Sequence, residues 1–206
     1  SFPISEHDTA FTVAARAAEL AIRTFPELVE QLENNSATET PSQPARDFRS
    51  KSERPGLVVL DWTRPIKELL RICRAFDFGN EDNWLTCTKL HTPSGDFLCI
   101  GSVTLTAGSE GPPGTVIRAT EDGISIQGSD GALHCEHLTT LEGAPVGETE
   151  FPRYGFVIGA TLPKLTQANV DAADNLDRAA TKSERFWVSR LQRLCIPEFT
   201  ELKLQA

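Results

Sequence analysis

The chain has 206 residues, of which 39% are hydrophobic and 24% charged, enough apolar content for one or two small cores and too much for a disordered chain. Twenty Lys and Arg face 29 Asp and Glu, a formal charge of -9, so phosphate backbones and anionic membrane surfaces are repelled unless the few cations cluster. No run approaches the roughly 20 apolar residues of a membrane helix, and Ser1 to Asp8 carry neither a basic start nor an apolar stretch. No nucleic acid or membrane partner is expected, and a cytoplasmic location follows by default.

Cys73, Cys87, Cys99, Cys135 and Cys195 are scattered without a C-x-x-C spacing. An odd count argues against a disulfide framework or a sulfur-rich zinc site, so reduced, mostly buried thiols are expected. The chain contains no methionine, even at position 1, which favours a piece of a longer polypeptide.

From Asp8 to about Leu32, apolar residues such as Phe11, Ala14, Ala17, Ala21, Phe25, Leu28 and Leu32 recur at helical spacing, with Asp8 expected to cap the start. Pro26 lies inside this stripe and predicts a kink, or two helices meeting near Thr24. The helix is expected to end at Asn34-Asn35. Residues 36–56 hold three prolines, many hydroxyls and only Phe48 as a large apolar side chain, which reads as a linker. A short run, Leu57 to Leu60, then precedes Asp61-Trp62. Thr63 and Pro65 mark a helix with Ile66, Leu69, Leu70, Cys73 and Phe76 on one side.

From Trp84 the period becomes extended. Five strands are predicted, over Trp84–Leu90, Asp96–Thr106, Gly114–Ala119, Gly123–Gln127 and Gly131–Leu138, separated by Gly- and Pro-rich turns. Short strands at this spacing suggest a small, OB-like antiparallel β-barrel, with the helix from Pro65 packed on it. The turn-rich stretch Glu142 to Lys164 carries Phe151, Tyr154, Phe156 and Val157 and is expected to wrap over another surface, of this chain or of a neighbour. Thr181 and Glu184 form a capping box opening a helix over about 182–194, which carries Phe186, Trp187, Leu191 and Leu194. The fold class is thus α+β: an N-terminal helix and linker, the barrel with its helix, and a helical C-terminal extension.

Several local motifs invite a chemical reading. His134-Cys135-Glu136-His137 is the most metal-like cluster, but strand alternation puts His134 and Glu136 on one face and Cys135 and His137 on the other, so one ion cannot gather both histidines. His7 and His91 have no Ser, Cys or carboxylate at a catalytic spacing and read as surface histidines. Trp62 reads as an apolar plug, with Asp61 capping the next helix. No residue is assigned a catalytic, cofactor-binding or metal-binding role. Phe186, Trp187, Leu191 and Leu194 are read as a docking face, because large exposed apolar surface seldom persists unpartnered.

Ile4-Ser5, Asp8-Thr9-Ala10, Pro41 with Gln43, Leu60-Asp61-Trp62 with Pro65, and Arg74-Ala75 resemble, in order and spacing, the second half of the folate-dependent formyltransferases. In the same register Pro113-Gly114-Thr115-Val116, Asp122-Gly123-Ile124, Gly128 and Asp130-Gly131-Ala132-Leu133 look like the carboxy-terminal barrel of methionyl-tRNA formyltransferase and its amino-sugar relatives. The match spans about residues 2–142. It implies a helical segment ending a catalytic domain over 1–35, a linker over 36–56, the C-terminal-like barrel over 57–142, and a linker and helix over 143–206.

In that family, formyl transfer from 10-formyltetrahydrofolate to an amine depends on an Asn, a His and an Asp of a preceding nucleotide-fold domain, and this chain contains none of those positions. No formyl transfer and no cofactor are therefore expected of this chain alone. Arg74-Ala75 usually leads into an Asn-Pro-Trp-Pro-Gly-like segment; here it leads into Phe76-Asp77-Phe78-Gly79-Asn80. The tRNA-reading members carry a basic barrel. Here, Trp84 to Thr140 holds only Lys89 and Arg118 against Asp96, Glu110, Glu121, Asp122, Asp130 and Glu136.

Ser183-Glu184-Arg185-Phe186-Trp187, with Arg190-Leu191 and Pro197, looks like a segment opening a unit of nonribosomal peptide synthetases. Together the two resemblances imply a non-catalytic, formyltransferase-like region of a synthetase, spacing domains around a carrier-bound amino substrate. Its partners would be the adjacent domains, with a carrier protein among them. The alternative is the C-terminal half of an active amine formyltransferase whose catalytic domain, with its 10-formyltetrahydrofolate, lies outside this chain.

Overall fold

The computed structural model describes residues 2–38, 57–79, 86–108, 111–176, 179 and 190. Two α-helices, six strands in two antiparallel sheets and one 3-10 helix make up its named elements.

Helix α1 (Ala10–Glu33) is capped by Thr9, not Asp8. The Thr12 amide donates to Thr9 Oγ1 at 3.2 Å, and the Thr9 amide donates back to Thr12 Oγ1 at 2.9 Å. Asp8 instead braces the preceding turn, taking the Ser5 amide at 2.6 Å and pairing with Arg16. Of the two alternatives at Pro26, two separate helices are excluded, since one helix runs through the proline. A proline costs one backbone bond, and on a helix with no buried residue the freed carbonyl faces water. The helix ends at Asn34, with Asn35 in the left-handed region at φ 52.

Helix α2 (Ile66–Ala75) buries Ile66, Leu69, Leu70 and Cys73, as its spacing predicts. Its first amide is satisfied from far along the chain. Ile66 N donates to Asp130 Oδ1 at 2.7 Å, while Asp61 serves the preceding turn by accepting from the Thr63 amide at 3.1 Å and hydroxyl at 2.6 Å.

The second predicted strand divides in two. β2 (Phe97–Cys99) pairs with β1 (Lys89–His91), whereas β3 (Ser102–Thr106) pairs with β6 (Ala132–Glu136). The chain changes sheets at Gly101, where a β-carbon would lie 2.7 Å from His137 Cβ. With β4 (Val116–Thr120) and β5 (Gly123–Gln127), the larger sheet has the order β3-β6-β5-β4. These sheets do not close into a barrel. The outer edge of β4 is covered by a loop instead of a strand: the Val116 amide donates to Ala160 O at 2.8 Å and the Gly159 amide to Val116 O at 2.8 Å.

One core joins these parts. Leu69 and Cys73 of α2, Leu90, Leu98, Ile124, Ile126 and Leu133 of the strands, and the plug Trp62 are all buried in it. The core does not stop at residue 142. Val146, Phe151, Tyr154, Phe156 and Leu162 belong to it, carried by a 3-10 helix (Glu148–Tyr154) and the loop after it, so the turn-rich stretch wraps over the sheet it follows. Val157 stays exposed.

Candidate functional site

A concavity of about 890 Å³ lies between the start of α1 and one side of α2. Its floor is apolar, with Val13, Ala17, Leu70 and Leu105, and Lys67, Arg71 and Arg74 from α2 bring cationic side chains to it. These cations follow from helical spacing, since positions 67, 71 and 74 share one side of α2, flanking Leu70 at the edge of its core face. Polar ties hold the walls together. Arg74 Nη1 donates to the Glu6 carbonyl, and the Phe11 amide donates to Asp77 O at 3.0 Å. The Phe11 ring lies against Gly79, whose φ of +62 turns the chain where a side chain would be strained. Bonds from the Ser5 backbone, with the Arg16 guanidinium beside them, hold the Asp8 carboxyl below its ordinary range, so it stays charged and keeps the turn at residues 5–8 folded.

Beyond this groove no described residue covers the apolar side of α1. Ile22, Phe25, Leu28, Val29 and Leu32 are exposed, an apolar stripe of the kind that covers a core. The groove and stripe together are a candidate binding face.

The motifs with chemical promise resolve into structure. Cys135 is in the core, and His134 lies on the other face, its Nδ1 2.9 Å from Ser125 Oγ and its Nε2 3.8 Å from Glu136 Oε1. Ser102 donates to the second oxygen of Glu136 at 3.0 Å. His137 is exposed, adopts φ 53 and so leaves the strand alternation, and lines one cavity with His134 and Glu136. Among the described residues no group of three or more His, Cys, Asp or Glu could hold a metal ion. His7 is exposed beside Glu6, and His91 stacks on Phe97 with ring centroids 4.9 Å apart. Of the docking set, Phe186, Trp187, Leu191 and Leu194 lie outside the described residues, as does most of the synthetase-like segment.

Two features escaped the sequence reading. The cationic side of α2 could have been found from its spacing. The approach of Cys87 to Cys99 could not, because it depends on how two strands pair.

Residues 55–153 match the family described as "Formyl transferase, C-terminal domain". This domain match agrees with the order of motifs from Leu60 to Leu133. Methionyl-tRNA formyltransferase of Pseudomonas syringae pv. tomato is 30% identical over 164 residues, covering 78% of this chain and 49% of that protein. The Stutzerimonas stutzeri enzyme of the same name is 31% identical over 146 residues, covering 70% of this chain and 44% of its own. The chain therefore spans about half the length of the curated relatives it matches. Among solved structures, a variant of HypX from Aquifex aeolicus superposes with a TM-score of 0.54 at 17% identity, covering 80% of this chain and 29% of that one. A second HypX variant gives 0.52 at 18% identity, with 72% and 26% covered. At these identities the likeness concerns the fold alone. The formyl transferase C-terminal domain is thus supported where the peptide-synthetase reading is not, and the reading of the chain as a synthetase spacer gives way to its alternative.

No helix among the described residues is long and apolar enough to cross a membrane.

Proposed function

We propose that this chain is the carboxy-terminal, non-catalytic half of a folate-dependent amine formyltransferase, and that α1 with the groove beside α2 is the seat of the catalytic half. The observation that carries this reading is the domain match over residues 55–153 together with relatives that extend to about twice the matched length. The exposed stripe on α1 supports it, because a catalytic domain packed there would bury Ile22, Phe25, Leu28 and Leu32. In this reading 10-formyltetrahydrofolate and the chemistry belong to the absent half. This half orients it and restricts what approaches the amine. The protein acts in the cytoplasm, and the segment with Phe186 and Trp187 docks an adjoining domain.

The test is a chimera in which this chain replaces the corresponding half of a methionyl-tRNA formyltransferase relative. Folate-dependent formyl transfer to an amine is expected to exceed that of the relative's free amino-terminal half, and Phe25→Glu with Leu28→Glu is expected to abolish the gain. A chimera no better than the free half overturns the proposal. Calorimetric titration of this chain alone with a stable folate analogue should give no saturable heat; micromolar binding would place the cofactor site in this half and refute its non-catalytic role.

A further inference from the structure

Cys87 and Cys99 meet outside the core. In the β1–β2 hairpin Lys89 lies opposite Cys99, and Cys87 precedes Lys89 by two residues, so all three share one face while Thr88, Leu90, Leu98 and Ile100 are buried on the other. The two sulfurs are 2.9 Å apart, and both cysteines are half-buried, free thiols. Cys99 is held in place by its backbone: its amide donates to Thr139 O at 2.8 Å and its carbonyl accepts from the Thr139 amide at 3.1 Å. Cys87 also borders a cavity of about 240 Å³ at the end of α2, lined by Cys73, Arg74, Asp77, Thr88 and Ser102 among others, through which a small molecule can reach it.

We infer that Cys87 and Cys99 form a redox-active dithiol, a modification site that takes a hydroperoxide as its oxidant and closes to a disulfide.

The charges around the pair assign the roles. Hydrogen bonding from Cys99 lowers the Cys87 pKa to about 6 against the opposing effect of burial, and the nearby Lys89 ammonium adds to the lowering. Lys89 is fixed there by bonds to Thr86 Oγ1 at 2.8 Å and to the Cys87 carbonyl at 3.1 Å. Bonding to Cys87 and burial push Cys99 the other way, so it keeps its proton. Arg74 and Asp77 are the other charged groups lining the cavity beside Cys87. The buried thiols are inert by comparison: burial pushes Cys73 up to about 12 and raises Cys135 well above its ordinary value.

The reaction balances in two steps. The Cys87 thiolate attacks the terminal peroxide oxygen, the O–O bond breaks, and a solvent proton on the leaving oxygen gives an alcohol, or water where the oxidant is hydrogen peroxide, and Cys87 sulfenic acid. The Cys99 sulfur then attacks the Cys87 sulfur, the S–OH bond breaks, and the hydroxyl leaves as water with the Cys99 proton. The peroxide gains two electrons, and each thiol contributes one. Two equivalents of a low-molecular-weight thiol restore the dithiol through a mixed disulfide and leave as their own disulfide.

Treatment of the whole chain with a slight excess of hydrogen peroxide is expected to lower its mass by about 2 Da, with a single Cys87–Cys99 cross-linked peptide on non-reducing mapping. Cys99→Ser should stop at a dimedone-reactive sulfenic acid on Cys87, and Cys87→Ser should leave Cys99 reduced. In the unsubstituted chain, iodoacetamide labelling of Cys87 should titrate with a midpoint near 6. Lys89→Gln should raise that midpoint and Lys89→Arg restore it. Labelling of Cys87 no faster than that of Cys73, or a cross-link from Cys87 to any other thiol, would overturn the inference.

Discussion

Asp61 shows how one residue can be read correctly in kind and wrongly in place. Burial raises the pKa of its carboxyl, but the bonds from Thr63 and the Lys164 ammonium 3.4 Å away outweigh it, so the pKa lies below the ordinary 3.8. A group depressed on folding contributes stability that is complete above its unfolded value and is lost as pH falls through the folded one. Because the Asp61 side chain is still 34% exposed and its Lys164 partner more so, solvent screens the pair and that contribution is below about 1 kcal/mol. Asp61→Asn should therefore leave a smaller loss of stability between about pH 4 and pH 2 than the parent chain shows, measured by urea unfolding across that range. An unchanged acid limb would mean that the charge plays no part in holding the turn before α2.

The two main helices differ in what covers their apolar faces, and substitution should separate them. Leu69 is fully buried against the sheets, so Leu69→Ala should destabilise the chain by about 2–5 kcal/mol in denaturant unfolding. Leu28 is exposed at 47%, and Leu28→Ala should change stability by less than about 0.5 kcal/mol while weakening association with the proposed catalytic half. Equal losses at the two sites would show that α1 already has its partner within this chain. Periodicity alone could not separate these cases. Both helices display an amphipathic stripe in the sequence, but the stripe says only that a face needs covering; what covers it is set by the path of the rest of the chain.

At the scale of the molecule, charge decides which partners are plausible. Lys67, Arg71 and Arg74 gather at the groove, but Glu6 and Asp8 line it too, and the net charge remains -9. Counterion release needs many uncompensated cations in register with phosphates, which this surface lacks. The chain should therefore fail to shift tRNA in a gel at about 0.15 M salt. A shift at micromolar protein that weakens steeply with salt would instead point to the α2 cations as a phosphate track.

Legible in the sequence alone were the helical stripe from Asp8 to Leu32 and its Asn end, the core face of α2, the extended character of the residues that became β1 to β6, and the domain to which residues 55–153 correspond, while the continuity of α1 through Pro26 was not. Each of these depends on neighbours within a few positions, or on motif order, and survives whatever the rest of the chain does. Tertiary structure alone decided that α2 is capped by Asp130, 64 residues from Ile66, that the strand breaks at Gly101 to serve two sheets, that the sheets stay open, and that Cys87 meets Cys99. These depend on which distant segments become neighbours, and spacing along the chain carries no record of that pairing.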